Sequence, residues 1–545
     1  MKNKKIIRSN AKAKLTTLLT SCAVVSLYIA TPAQAQNISK PAIDALLADG
    51  GGQVKIYTFP ENNAQTSSNP ASASANVNNQ EQNKPVQNIE PASGNGQSFS
   101  FGQSITAEEP GVTDSEETPM MPPEEDKKPC CEPDLSAKFE LKGGYLPDSD
   151  SRSDFTGYAK TSLSATGQIN DNLDFKASLD IDHIQETGGH DFSETDVRYD
   201  ENYLRYKNGN FSTTLGAQRV IWGRVDDIKP TDQLGPQDLR TFITNDYEER
   251  RMAVPALRSE YTMGDYKLDG LFVADLRQAL PDQDSLWSFI DKDNGKILGV
   301  KTDPALTPLI QNATIDDDVS GIGGGGIRFS KTGDSADWAV TAQRARRNTP
   351  FYAVNPQILS AIQAGTPPAA ALAGASGKTL EARYDWGWVM GGDIAIPIGS
   401  TILRAEGAWI TDVPLHTTAL NKTEADMAHI VAGAEFYPGD GDLRIIAQAA
   451  AVIYPDADNV IERTETYSIN GTIHNEFDQG RWNAELDYAA GLNRKDIYLN
   501  PKISYKGLNS HELFVEYHFF DGNEETAGGF YKNNSALMLG WKYQL

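Results

Sequence analysis

The chain has 545 residues, 39% of them apolar, and a formal net charge of −25. That acidity excludes a nucleic-acid partner on electrostatic grounds, because a phosphate backbone would be repelled. Three cysteines, with Cys130 beside Cys131, are too few for a disulfide scaffold.

Six basic residues (Lys2, Lys4, Lys5, Arg8, Lys12, Lys14) precede an apolar run from Leu15 to Ile29, and Ala33-Gln34-Ala35 fits a small-x-small cleavage site. Residues 1–35 are therefore expected to be a signal peptide. Its removal takes away six positive charges and no acid, moving the net charge to −31. Leu19-Thr20-Ser21-Cys22 is a rival lipoprotein-type box, but the apolar core continues past Cys22. No later segment holds about 18 uninterrupted apolar residues, so no helical span is expected.

Residues 36–61 form a short element with Ile43, Leu46 and Leu47 at helical spacing, then three glycines and VKIYTF. Residues 62–134 are rich in Asn, Gln, Ser, Pro and Glu. Such a composition cannot bury enough surface to offset chain entropy, and a disordered linker is expected. Cys130 and Cys131 fall in it and fit a linker pair, an interchain link or a soft-metal site.

From residue 135 to residue 545 the pattern is short alternating runs between turn residues. In LSAKFELKGGY, Leu135, Ala137, Phe139, Leu141 and Tyr145 share one face; Lys138, Glu140 and Lys142 take the other. NLDFKASLDID repeats this with Leu173, Phe175, Leu179 and Ile181 against Asp174, Lys176, Asp180 and Asp182. TLEARYDWGWVMGGDIAIPI reads as one long strand with Glu381 and Arg383 on its charged face. The final SALMLGWKYQL alternates Leu537, Leu539, Trp541, Tyr543 and Leu545 against Met538, Gly540 and Lys542.

Eighteen such strands can be drawn. Every second connection is short and turn-like (NDN, KNGN, MGD, KTGDSAD, PIGS, PGDGD, DQG, KGLNS), whereas most of the others are longer. Alternation alone suits a soluble sandwich, but this two-sided asymmetry is what a transmembrane antiparallel β-barrel requires. Lipid offers no hydrogen-bond partners, so the sheet must close on itself. VRYDENYLRYK changes phase near Asn202, which suggests a bulge.

The ending LGWKYQL resembles the C-terminal assembly signal of Gram-negative outer-membrane barrels, with Leu545 where Phe is commoner. Residues 217–258 carry Trp222-Gly223-Arg224, then Asp226, Pro230, Asp232, Pro236 and Asp238. This stretch resembles a poorly characterised family of large porin-like proteins of Proteobacteria. The resemblance implies an outer-membrane barrel and no particular substrate, and the asymmetry of the connections is expected to put both chain ends in the periplasm. Expected partners are outer-membrane lipid and lipopolysaccharide, the barrel-assembly machinery, and a periplasmic partner recruited through residues 36–134.

Lumen-facing positions of both signs are expected at Lys138, Glu140, Lys176, Glu381, Arg383, Arg404, Glu406, Glu485 and Asp487. Mixed charge suits a water-filled channel better than a cavity for greasy ligands; a plugged lumen has the same signature. The 220–254 connection falls between the fifth and sixth strands; in classical porins, which this chain resembles in layout, that loop folds inward, so the resemblance implies a constriction carrying Arg219, Arg224, Asp226, Asp227, Lys229, Asp232, Asp238 and Arg240. Opposed charges there would filter solutes by charge and dipole. An outward loop paired with lipopolysaccharide and cations is the alternative.

Seven scattered histidines, no HExxH and no Gly-x-Ser-x-Gly argue against an enzyme, and no cofactor or metal is expected. Asp316–Asp318 and Asp456 with Asp458 are more simply solvated charge runs than calcium sites. The leading function is a porin-like channel for small hydrophilic solutes; the alternative is an export or assembly component working with a periplasmic partner.

Overall fold

The computed structural model describes residues 133–279, 284–347, 349–439 and 442–545. The expected signal peptide, the 36–61 element and the linker as far as residue 132 lie outside the described residues.

From Asp134 the chain is a succession of antiparallel strands. The first seven are β1 (Asp134–Tyr145), β2 (Phe155–Asn170), β3 (Leu173–Thr187), β4 (Phe192–Tyr199 continued by Asn202–Asn208), β5 (Phe211–Gln218), β6 (Val254–Met263) and β7 (Tyr266–Val273). Next come β8 (Gly324–Lys331), β9 (Asp337–Arg346), β10 (Trp386–Ile398), β11 (Thr401–His416), β12 (Lys422–Phe436) and β13 (Leu443–Ile453). The last are β14 (Glu465–Phe477), β15 (Trp482–Gly491), β16 (Asp496–Leu508), β17 (His511–Gly522) and β18 (Ala536–Gln544). Both pieces of β4 pair with β3, so the sheet's 19 segments make 18 staves. β18 pairs with β1 from Lys138↔Gln544 to Tyr145↔Leu537 and closes the cylinder. Strands spaced about 4.8 Å apart and tilted about 40° give a cylinder roughly 35 Å across between backbones.

Closure follows from the alternation. Outward positions carry Leu215, Leu257, Phe272, Ile327, Val340, Leu513, Val515 and Leu539, all among the exposed large apolar side chains. Inward positions on the same strands carry Thr214, Asp269, Arg328, Gln343, Glu516 and His518, all buried. Outward aromatics gather near the short turns. Tyr266 stacks on Phe329 at 5.7 Å and Phe329 meets Trp338 at 5.8 Å. Trp482 lies between Phe477 and Tyr505, and Phe139 stacks on Tyr543.

The phase change in β4 is a true break. Asn202 replaces missing ladder bonds with its amide: the Ser178 N–H donates to Asn202 Oδ1 at 3.1 Å, and Asn202 Nδ2 donates to the Ser178 carbonyl at 2.8 Å. The two residues thus left out of the ladder, Asp200 and Glu201, aim their carboxylates at Arg219 (2.7 Å) and Lys176 (2.5 Å).

One expected strand differs. The run from residue 379 to residue 397 is two elements, because β9 offers partners only from Arg346↔Trp386 onward. Leu380–Arg383 pairs instead with Phe351–Val354 and Ile315–Asp316 in a small sheet among the long loops. Leu380, Ala382 and Tyr384 bury their apolar row in the core of those loops. Glu381 and Arg383 therefore pair with each other at 2.9 Å outside the barrel strands, not along its lumen. The same loop carries α1 (Pro356–Gln363), capped by Asn355 on the Gln357 N–H, and α2 (Pro368–Gly374).

Candidate functional site: an inward loop and the slot beside it

The 219–253 connection leaves β5 and folds into the barrel. Its root is apolar: Val220, Trp222 and Leu234 bury against Val254, Ala256, Leu271, Val273 and Ala345 on the inner wall. The Trp222 indole donates to Asp269 at 3.2 Å, and Arg258 holds the same carboxylate at 2.6 and 3.0 Å. A polar atom inside this greasy root is thereby satisfied, as burial demands.

Beyond the root the loop is fastened by charge. Gly223 adopts φ +116°, and a Cβ there would meet the Glu406 carboxylate at 2.6 Å; only glycine suits both conditions. Glu406 Oε2 accepts from the Arg224 N–H at 2.8 Å and the Val225 N–H at 3.3 Å. Its Oε1 accepts from the Thr231 N–H and hydroxyl, each at 2.8 Å. One carboxylate from β11 therefore holds three backbone amides of the loop. Arg224 reaches Asp393 (2.8 Å) and Asp337 (3.1 Å), while Arg328 shares Asp393 at 2.6 Å. Asp226 accepts from Arg404 and Gln448, both at 3.0 Å.

The returning half is held the same way. Asp232 pairs with Arg251 at 2.7 Å and accepts from the Tyr247 hydroxyl at 2.6 Å. Burial raises the Asp232 carboxyl above its ordinary range, and the Arg251 charge opposes it. Asp238 meets Arg198 at 2.8 Å and Arg240 at 2.8 Å; burial alone would raise its carboxyl, but the two guanidiniums hold it well below the usual range. Arg240 also reaches Asp182 on β3 at 3.1 Å. Lys142 on β1 donates to Asn245 at 2.9 Å, and Lys542 on β18 donates to Glu249 at 3.1 Å.

In a ring of 18 staves, β10–β11 stand opposite β1–β2. A loop tied to Glu406 and Arg404 on one side and to Lys142, Asp182 and Lys542 on the other spans the lumen. No hydrogen bond or ion pair among the described residues ties it to β14–β17, although its Phe242 packs on Phe520 of β17. A slot is left between the loop edge and that wall.

The slot can be traced by residues that are exposed although protein encloses them: Asp227 and Asp246 on the loop, with Glu248 beside them. Facing them, within electrostatic reach, are Glu485, Asp487, Tyr498 and Lys502. Burial, then Glu249, pushes the Asp246 carboxyl up to about 6, against the pull of Lys502 and Lys542. For Glu249 the neighbouring Lys542 and Lys142 outweigh burial and bring it down to about 2.

The eight expected constriction residues all lie on this inward loop, in distinct positions. Arg219, Arg224, Asp226, Asp232, Asp238 and Arg240 fasten it. Lys229 covers the Tyr247 ring at 4.3 Å and reaches Glu248 at 3.8 Å. Asp227 alone stands at the slot. Of the expected lumen residues, Lys138, Glu140, Lys176, Arg404, Glu406, Glu485 and Asp487 lie on inward faces of barrel strands. Asp246, Lys502 and Lys542 escaped the reading: the first sits in an unpatterned loop, and the two lysines look like ordinary alternation.

No protein-family model matches the chain, and no curated protein matches it significantly. Solved structures of outer-membrane proteins do match. OmpF of Salmonella typhi, in complex with daunomycin, is 12% identical over 76% of this chain and 97% of that one, with a TM-score of 0.39. OpdL of Pseudomonas aeruginosa is 11% identical over 76% and 99%, TM-score 0.41. The outer-membrane channel DcaP of Acinetobacter baumannii is 9% identical over 76% and 97%, TM-score 0.37. Values this low carry no substrate or mechanism across, and the barrel assignment stands on the strand pairing itself.

Proposed function

We propose that this protein is an outer-membrane channel through which small hydrophilic solutes diffuse, and that solutes pass the slot between the 219–253 loop and the β14–β17 wall. The observation that carries the reading is the inversion of the barrel: apolar side chains outside, paired charges inside, and a loop tied across the lumen with no hydrogen bond or ion pair to one wall among the described residues. An apolar outside suits lipid, and a charged inside suits water. At the slot Asp227, Asp246 and Glu248 stand on the loop with Glu485 and Asp487 opposite, and Arg250 and Lys229 on the loop and Lys502 and Lys542 on the wall reach the same acids. Charges of both signs therefore line the slot, and a transverse field orders dipolar solutes. The outward aromatics near the short turns suit a membrane interface on the periplasmic side. Liposome swelling tests the reading. Vesicles holding the refolded protein should admit small sugars and amino acids and exclude large oligosaccharides; vesicles no leakier than protein-free controls would refute it.

A further inference from the structure

At the long-loop end, a cavity of about 160 Å³ opens between the 146–154, 284–298 and 523–535 loops. It holds roughly five water molecules' share of liquid volume, which suits one small polar molecule with an edge in solvent. Its only positive group, Arg152, is already used: the guanidinium pairs with Asp293 at 2.8 Å and donates to the carbonyls of Asp284 (3.0 Å) and Ser285 (3.4 Å). An anion therefore finds no spare cation. The amides of Asn294, Asn533 and Asn534 each donate one N–H, to Asp291, to the Asp150 carbonyl and to the Leu286 carbonyl. Their side-chain oxygens, and the Asp150 carboxylate, accept from no described residue. The half-buried Phe530 ring completes the lining.

A cavity rich in acceptors calls for a ligand rich in donors. Hydroxyls match the amide oxygens, an ammonium matches Asp150, and the aromatic ring suits the C–H face of a sugar. We infer that the cavity is a capture site for an amino-bearing polyol of monosaccharide size, bound before the solute reaches the slot. The inference rests on the channel reading for that purpose, not for the site itself.

The test titrates D-glucosamine, D-glucose and D-glucuronate into the refolded full chain in detergent, read by calorimetry. Asp150→Ala and Asn533→Ala are compared, with heat-modifiable mobility on gels confirming that each variant is folded and conductance recorded separately. Glucosamine should bind best and glucose about tenfold more weakly, the worth of roughly one charge-assisted hydrogen bond; glucuronate should not bind. Asp150→Ala should reduce glucosamine to the level of glucose, and Asn533→Ala should weaken both. Glucuronate binding best, no binding by any of the three, or both variants binding like the parent would overturn the inference. Binding without conductance would leave the site standing and refute the channel.

Discussion

Glu406 fastens the inward loop to the barrel wall through three of the loop's backbone amides. Its two oxygens serve four donors of the loop, three of them backbone amides, and the residue is 2% exposed. Glu406→Ala leaves these donors facing a void. At about 1–3 kcal/mol for each buried donor that water cannot reach, and with partial rehydration, the loop's attachment should weaken by about 3–5 kcal/mol. Glu406→Gln keeps one accepting oxygen and turns an N–H toward an N–H, for a loss of about 2–4 kcal/mol. Since 1.4 kcal/mol is tenfold, the detached fraction of the loop should rise by about two to three orders of magnitude. The staves do not depend on this carboxylate, so the barrel should persist with its heat-modifiable mobility on gels. Single-channel recording is the assay. Both variants should show larger, noisier openings than the parent, and trypsin should cut at Lys229 or Arg240 in Glu406→Ala. A variant with the parent's conductance, noise and protease resistance would refute the role assigned to Glu406.

Acidification through about pH 6 should protonate Asp246, whose carboxyl is raised, while Glu249, lowered to about 2, stays charged. The slot then loses one negative charge as pH falls, so cation preference should drop across that range, and Asp246→Asn should remove the step in reversal-potential measurements. Asp182→Asn should cost the loop about 3–5 kcal/mol, because Arg198 and Arg240 both turn to that fully buried carboxylate; increased current noise at preserved ion selectivity is the expected reading. Ile327→Arg, on the outward face beside Gly270 and Ala342, should lower folding stability in lipid by about 2–4 kcal/mol if that face meets hydrocarbon near the midplane, measured by denaturant titration in vesicles. Deleting residues 36–134 should leave conductance intact; its loss would favour a machine that needs a periplasmic partner.

The barrel was legible because its two requirements leave marks at short range. Alternation gave the faces of β1, β3, β11 and β18, and the short turns gave the number of staves. The break in β4 also showed, as the change of phase at Asn202. What misled was alternation continuing past the sheet: Leu380, Ala382 and Tyr384 keep the period but bury against other loops, so Glu381 and Arg383 left the lumen. The loop was harder still. Its charges are visible in the sequence, but whether a carboxylate fastens or faces water depends on partners far along the chain. Asp226 meets Arg404 and Gln448, whereas Asp227, its neighbour with φ +34°, turns to the slot. Nothing local separates the two.

Planar-bilayer recording of the refolded protein tests the central claim most directly. An inverted barrel with a loop tied across its lumen should give discrete current steps whose cation-to-anion permeability ratio falls as pH drops through about 6. Protein shown to be inserted and heat-modifiable, yet silent, would contradict it.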